Sequence, residues 1–395
     1  MSTDATGLRP TAAPVTLPAR PSPFTAEEYA GRRVRVGDLA AGRGLDAVVV
    51  YGAHRSGSAV PWLTGWPVTR EAVAVLRPAC DPVLLVGFAN HVPNARRVAV
   101  DCEVRPTGES TAATLGDLLA GTKRLGVIGA PPGPVLRTLS DGRGLVALDG
   151  DYLKLRRVKS EPEMAHLRWA AYLTDRSAAA LVEAAVPGAT EIDLVDAVEA
   201  SYAGTGAANH IHYVAVTSMA APDRCVPGQW PTDRVVTQGS VVVFELSTTW
   251  GQDMPGQLLR TLTVEAEPTP AYRHMHDLAT EVHDAIVDKL QPGALPADLL
   301  ACADPVLRNG FVTVDDVVHG FGGGYLPPVL SHRAPPAGPH AAPLVEGMTV
   351  VVQPNVATAD LQAGVQTGEL YEVTADGARS LHAFPTGLLR GGGVL

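Results

Sequence analysis

The chain has 395 residues, a length that predicts two or three domains at roughly 100–200 residues per domain. Its formal charge is −10 at pH 7, and this acidic balance argues against a nucleic-acid partner because phosphate binding needs a basic surface. Hydrophobic residues make up 46% and charged residues 18%, a composition typical of globular proteins rather than of disordered chains.

The cysteines and the N-terminus indicate the cellular compartment. Four cysteines lie far apart without a C-x-x-C pair, which favours a reducing cytoplasm over a disulfide scaffold or a thiolate zinc site. Residues 1–23 are rich in proline and lack an apolar segment after a basic start, so we interpret them as a flexible arm without a secretory signal. Apolar runs such as Val241 to Phe244 are far shorter than the roughly 20 residues that span a bilayer, and no membrane insertion is expected.

Residues 24–150 alternate between helical and strand-like segments. Glu27 to Ala41 is predicted to be a helix, and the short apolar segments that follow are predicted to be strands because glycine and proline flank them. Strands this apolar are usually covered on both faces, so the region is predicted to form a layered α/β domain. The predicted strands are Leu45 to Tyr51, Ala72 to Leu76, Val83 to Val86, Leu125 to Ile128 and Leu145 to Leu148.

A charged segment at Asp151 opens the second domain, residues 151–395. It leads into a predicted helix from Glu161 to Val186, with Ser160 as the N-cap and a Pro-Gly pair after its end. A second helix is predicted from Glu191 to Tyr202. The further predicted elements are strands His212 to Thr217, Ser240 to Leu246, Leu258 to Val264, Met348 to Val352 and Leu370 to Thr374, and a helix from Pro270 to Leu290.

Five ordered motifs mark this second domain. They are LRRVKSEPEMAHLR at 155–168, GSVVVFEL with QLLRT at 239–261, VHGFG at 318–322, EGMTVVVQP at 346–354 and GVQTGE at 364–369. Together they resemble the signatures of the pita-bread superfamily, which includes creatinase, prolidase, aminopeptidase P and ectoine hydrolase. The resemblance implies an α/β (α+β) fold, with a creatinase-type N-terminal α/β domain followed by a C-terminal pita-bread catalytic domain. It also implies a homodimer.

The resemblance implies which positions would bind metal. Metallopeptidases of the superfamily hold two divalent ions with two aspartates, one histidine and two glutamates. Here the corresponding residues are Glu245, Gln257, His319, Gln353 and Gly368. Glutamine is neutral and glycine has no donor atom, so three carboxylates that would balance the ions are missing. We therefore expect no metal and no other cofactor.

Glu245 and His319 are the predicted catalytic pair. A carboxylate at the end of an apolar strand is partly desolvated, which suits it to act as a base or a nucleophile, although a strand glutamate can instead serve a salt bridge. A histidine in a glycine-flanked turn can exchange a proton near neutral pH. Ectoine hydrolase is the nearer resemblance because it also has glutamate at this strand position. The catalytic histidine of creatinase would fall near Gly228.

Eight further residues are predicted to bind substrate: Arg260, Gln257, Gln353, Gln366, Glu369, Tyr325, His212 and Trp230. The glutamine amides are suited to a carbonyl, amidine or ureido group, but they can also tie the sheet together. Arg260 is predicted either to bind a substrate carboxylate or to pair with Glu245 or Glu369.

Two segments are predicted to border the pocket. The proline-rich loop from Met219 to Pro231, which includes Trp230, is expected at the pocket mouth. His210 and His212 are interpreted as pointing to opposite faces of a strand, so only one of them is expected to face the pocket. Tyr325 begins the segment that replaces a second histidine-containing segment of the peptidases.

The main hypothesis is a cytoplasmic, metal-independent hydrolase that cleaves a C–N bond in a small amide, cyclic amidine or amino-acid-like substrate. One alternative is a metal-dependent Xaa-Pro aminopeptidase or dipeptidase with an altered site. The other is a non-catalytic protein that kept the cleft for small-molecule binding. The substrate itself stays open because analogy of fold indicates only a reaction class.

Overall fold

The computed structural model describes residues 18–392 except Arg55, Ala79 and Gln252. Most of the predicted flexible arm, residues 1–17, lies outside the described residues. The described end of the arm places the Arg20 guanidinium 5.1 Å from the ring centre of Trp250.

The first half of the chain forms a six-stranded mixed sheet between helices. Its helices are α1 (Ala26–Gly42), α2 (Ala59–Thr64), α3 (Val92–Val98), α4 (Thr111–Leu118), α5 (Gly133–Ser140) and α6 (Asp149–Arg157). Its strands are β1 (Ala47–Ala53), β2 (Glu71–Leu76), β3 (Val83–Val86), β4 (Glu103–Pro106), β5 (Arg124–Ile128) and β6 (Gly144–Ala147), in the order β4-β3-β2-β1-β5-β6. Val48 and Val50 of β1 join one apolar cluster and Ala47 and Val49 another, so the sheet is buried on both faces as predicted.

The second half is built around a nine-stranded sheet. Its main strands are β7 (Ala207–Ser218), β8 (Ser240–Trp250), β9 (Leu258–Thr263), β11 (Val318–Gly320), β12 (Leu326–Leu330), β13 (Thr349–Val352) and β16 (Gly368–Thr374). Strand β10 (Phe311–Thr313) belongs to a different sheet. The main strands run in the order β12-β11-β13-β16-β9-β8-β7, with β17 (Gly377–Ser380) beside β16 and β18 (Leu389–Arg390) beside β9. The strands β10, β14 (Val356–Thr358) and β15 (Gly364–Val365) form a small separate sheet.

Five helices accompany the large sheet. They are α7 (Glu161–Ala184), α8 (Glu191–Tyr202), α9 (Pro270–Val287), α10 (Pro296–Ala301) and α11 (Asp304–Arg308). Val242 and Phe244 of β8 pack with α7 and α8, whereas Val241 and Val243 belong to a separate apolar cluster that includes Val356 and Val365 of the small sheet. Because side chains alternate along a strand, Glu245 lies on the face of β8 that points away from α7 and α8.

The first and second halves of the chain contact each other through buried polar side chains. Helix α6 crosses residues 150 and 151, where the domain boundary is predicted, and that boundary stays a prediction. Helix α7 begins with a capping box between Ser160 and Glu163. The Glu163 carboxylate also accepts a hydrogen bond of 2.7 Å from the Trp62 indole and lies 3.3 Å from the Arg32 guanidinium. This contact fixes the first half of the chain against α7.

The structure confirms the mixed α/β class and most element positions, but β7 and β8 are longer than predicted. Strand β8 continues past Leu246 to Trp250 because these residues pair with Ala207 to Ile211 of β7, and the buried Thr248 hydroxyl is satisfied by a hydrogen bond of 3.1 Å with Ser177. Within the described residues, no helix is both long and apolar enough to cross a membrane.

Candidate active site

Four side chains converge on one face of the large sheet. Glu245 lies within β8, Gln257 directly precedes β9, His319 is the middle residue of β11, and Gln353 directly follows β13. The Gln257 amide nitrogen donates to Glu245 Oε1 at 2.7 Å and to Gln353 Oε1 at 3.3 Å. Each of the four is at most 7% exposed. We call Glu245, Gln257, His319 and Gln353 the chamber residues.

Glu245 has the protonation behaviour of an acid or base near neutral pH. Burial, together with the charge of Asp315, raises the pKa of its carboxyl group to about 7 against the opposing hydrogen bond from Gln257. A carboxyl group in this range is present in both protonation states at pH 7. It can therefore take up and release a proton during a reaction.

His319 is neutral in this environment. Its side chain is fully buried, and this burial lowers the pKa of the imidazole, although the Gly320 carbonyl opposes the shift. Nδ1 lies 3.2 Å from that carbonyl oxygen, an arrangement that assigns the proton to Nδ1 and leaves Nε2 as an acceptor.

Tyr325 covers the imidazole of His319. The two rings are stacked with their centres 3.9 Å apart and their planes 11° apart. On its other side Tyr325 borders a cavity of about 1200 Å³ between the two halves of the chain. This interdomain cavity is also bordered by Trp230, which is 82% exposed, and its described lining includes none of the chamber residues. The predicted substrate-binding residues Tyr325 and Trp230 thus lie at the cavity, outside the chamber.

Several buried polar atoms near the chamber have no hydrogen-bond partner in the described part of the chain. They are Gln257 Oε1, His319 Nε2, Gln353 Nε2, Asn355 Nδ2 and Thr367 Oγ1. Buried polar atoms are nearly always hydrogen-bonded in folded proteins. This set of unpartnered donors and acceptors therefore marks the chamber residues as a candidate site.

The donor set does not fit a pair of divalent ions. Among the described residues, no three or more His, Cys, Asp or Glu side chains lie close enough together to hold a metal ion. A Cβ atom at Gly368 would lie 2.6 Å from the Val352 carbonyl oxygen and 2.7 Å from the Gln353 Cβ. A carboxylate ligand therefore cannot occupy position 368 unless the neighbouring backbone shifts.

Arg260 and Glu369 form a buried ion pair, which favours the structural alternative for both over substrate binding. The guanidinium also donates to the carbonyl oxygens of Pro385 at 2.9 Å and Gly368 at 2.8 Å. The Ser380 hydroxyl donates to Glu369 at 2.6 Å. Burial alone would raise the pKa of the Glu369 carboxyl group, but the Arg260 charge and these hydrogen bonds hold it at about 2.

The two histidines of β7 differ in their exposure at the interdomain cavity. Both border it, but the His210 side chain is 27% exposed whereas that of His212 has no exposed surface, so only His210 can present its imidazole. Residues two apart share a face of a regular strand, although a register shift between Asn209 and Ile211 disturbs the pairing here. The His212 side chain has no exposed surface and packs on the Tyr202 ring, so it does not present its imidazole to the cavity.

Gln366 is held by the sheet, whereas Asp315 is a site residue that the sequence did not reveal. The Gln366 backbone N–H donates to the Thr261 hydroxyl at 2.7 Å, and the residue is 1% exposed. Asp315 precedes β11 and carries the charge that helps raise the pKa of Glu245. Its position four residues before His319 was the only available signal.

Comparisons with known proteins agree with this architecture. The chain is 27% identical over 312 residues to the probable dipeptidase PepE of Mycobacterium bovis, which covers 73% of this chain and 80% of that protein. The crystal structure of the prolidase from Pyrococcus horikoshii OT3 superposes with a TM-score of 0.78 at 17% identity, covering 91% of this chain and all of that one. Dipeptidase PepE from Mycobacterium ulcerans superposes with a TM-score of 0.77 at 22% identity, covering 94% of this chain.

These relatives confirm the pita-bread fold and are peptidases by name. They favour the peptidase alternative over the predicted nearness to creatinase and ectoine hydrolase, for which they give no support. The model of metallopeptidase family M24 matches residues 165–375, more than half of the chain. By this match, and by the fold it shares with prolidase, the chain belongs to the hydrolases of metallopeptidase family M24.

Proposed function

We propose that the protein hydrolyses a C–N bond in a small amide or amino-acid-like compound through Glu245, without a metal pair. The observation that carries the proposal is the chemistry of the chamber. A buried carboxyl group with a pKa of about 7 stands among neutral amides at the positions where the family's metallopeptidases bind ions. A single such carboxyl group suits proton transfer better than ion binding.

The proposed reaction needs only groups of this chain and water. Ionised Glu245 takes a proton from a water molecule, whose oxygen attacks the carbonyl carbon of the substrate. The unpartnered N–H groups of Gln353 and Asn355 donate to the carbonyl oxygen as it gains negative charge. Protonated Glu245 then gives its proton to the leaving nitrogen, the C–N bond breaks, and the carboxylate is restored. His319 Nε2 can accept a hydrogen bond from the bound substrate or from the attacking water.

The interdomain cavity supports an amino-acid-like substrate. Its lining includes the carboxylates of Asp149, Glu199 and Asp253, and no lysine or arginine among its described residues. Aromatic rings, including Tyr325 and Trp230, border the same space. Carboxylates and aromatic faces both favour a cationic group, such as an ammonium group of the substrate.

The metal-dependent dipeptidase remains the second candidate, because the relatives carry dipeptidase and prolidase names. The metal content of the purified protein distinguishes the metal-dependent dipeptidase from the metal-independent hydrolase. Protein purified with excess manganese, cobalt or zinc and then desalted is expected to retain well below one ion per chain by elemental analysis. Hydrolysis of amides, cyclic amidines and Xaa-Pro dipeptides is expected to be insensitive to EDTA.

One or two tightly bound ions per chain, with activity lost on chelation and restored by metal, would overturn the metal-independent proposal. Turnover that is unchanged by both Glu245→Gln and His319→Ala would instead favour the non-catalytic binding protein. The desalted protein without added metal is the matched control for the elemental analysis.

A further inference from the structure

The turn between β11 and β12 is unusually poor in side chains. Gly322, Gly323 and Gly324 follow one another with φ angles of 110°, 88° and 98°. These values lie in the region that residues with a Cβ atom rarely adopt. The turn therefore has little side-chain packing of its own, and contacts from other parts of the chain decide its position.

Arg156 of α6 supplies those contacts. Its guanidinium donates to the carbonyl oxygen of Gly322 at 3.3 Å and of Gly323 at 3.4 Å, and the Ser58 hydroxyl donates to Gly323 at 3.0 Å. A Cβ atom at Gly323 would lie 1.8 Å from Arg156 Nη2. The guanidinium thus fills the space that the glycine leaves free.

The Arg156 guanidinium is buried, so its hydrogen-bond partners matter for its stability. The residue is 2% exposed and makes no ion pair among the described residues, although burying a guanidinium is costly. Its remaining hydrogen bonds go to Ser58 and to the Tyr152 hydroxyl, each at 2.9 Å. All hydrogen bonds of its guanidinium therefore go to the glycine turn, to Ser58, which also bonds the turn, or to Tyr152.

Tyr325 directly follows this turn and separates two spaces. One face of its ring covers His319, which has no exposed surface, while the residue itself is 43% exposed and borders the interdomain cavity. A rotation of the chain at Gly324 would move the tyrosine ring away from His319. The chamber would then open toward the interdomain cavity.

We propose that Tyr325 controls access from the interdomain cavity to the chamber, and that Arg156 is a positioning residue that keeps this passage closed. Ser58 assists through the same carbonyl. The proposal goes beyond the catalytic one, because it concerns access to the chamber whether or not Glu245 is catalytic. Arg156 acts through the turn and does not touch the chamber residues.

The rate at which a thiol in the chamber reacts measures this access directly. Gln257→Cys places a thiol at a position with no exposed surface. The full-length protein is treated with a small uncharged methanethiosulfonate, and modification at position 257 is followed by peptide mass spectrometry. We expect at least tenfold faster modification when Tyr325→Ala is added, and no change with Tyr325→Phe, which keeps the ring. Arg156→Lys and Ser58→Ala are each expected to increase the rate severalfold.

The native Cys225 is the internal control, because it is 7% exposed and lies outside the chamber. Equal rates at position 257 with Tyr325 and with alanine would overturn the gating role of Tyr325. Unchanged rates in both Arg156→Lys and Ser58→Ala would overturn the positioning role of Arg156. Faster reaction at Cys225 by the same factor would also overturn the proposal, since it would indicate general loosening of the domain.

Discussion

Replacing Glu245 with glutamine is expected to reduce kcat by roughly 10²–10⁴-fold, the usual contribution of a general acid or base. The same variant is expected to be more stable than the parent protein at pH 8. Glutamine has nearly the same shape, and its carbonyl oxygen can still accept the hydrogen bond from Gln257. The substitution therefore removes a buried charge without opening a cavity, and the two effects have opposite signs.

The pH dependence follows from the raised pKa of Glu245. Below the ordinary value of 4.5 the carboxyl group is protonated in both the folded and the unfolded chain. As pH rises from 4.5 through about 7, the unfolded chain loses this proton first, so the folded state loses stability relative to it. The rise in pKa corresponds to about 3 kcal/mol of destabilisation above pH 7, in order of magnitude. Glu245→Gln should remove this loss.

Urea unfolding of parent and variant at pH 5 and pH 8 measures the effect. We expect the difference in the free energy of unfolding to grow in favour of Glu245→Gln between these pH values. The exposed Glu281→Gln on α9 is the matched control, with an expected change within about 0.5 kcal/mol and no change in kcat. A variant that keeps full activity, or is less stable than the parent at pH 8, would contradict the assigned role of Glu245.

Local sequence signals predicted the helix ends well and the strand ends less well. The start of α7 is set by Ser160 and Glu163, which form a capping box that can be read from four consecutive residues. The last residues of β8, Ser247 to Trp250, pair with Ala207 to Ile211 of β7, which are far from them in sequence. Strand length is decided by such tertiary partners, and no local pattern shows them.

The same distinction applies to the site. Motif order alone indicated that Glu245, Gln257, His319 and Gln353 belong together, and the structure brings them into one chamber. Their roles in catalysis and binding stay predictions. The stacking of Tyr325 on His319 was not predictable, because it depends on the path of the glycine turn and on its contact with Arg156. The sequence therefore indicated which residues form the candidate site, whereas it did not indicate that Tyr325 covers His319.

The Arg260–Glu369 pair provides the largest expected effect on stability. Its guanidinium is 2% exposed and its carboxylate 6%, so neither charge has water as a substitute partner. Replacing Glu369 with glutamine keeps an acceptor but leaves the Arg260 charge unpaired. Removing one partner of a buried pair costs about 3–5 kcal/mol, and the free energy of unfolding is expected to fall by that amount at pH 7.

The depressed pKa of Glu369 gives this loss a pH dependence opposite to that of Glu245. The carboxylate stabilises the folded chain above the ordinary value of 4.5, and that contribution is lost as pH falls toward about 2. The difference between the parent and Glu369→Gln, measured by urea unfolding, should therefore shrink between pH 7 and pH 3. Glu267→Gln is the control, because its ion pair with Arg390 is exposed and should contribute no more than about 1 kcal/mol. If Arg260 instead served mainly to bind a substrate carboxylate, Arg260→Met would raise KM strongly while Glu369→Gln left unfolding nearly unchanged.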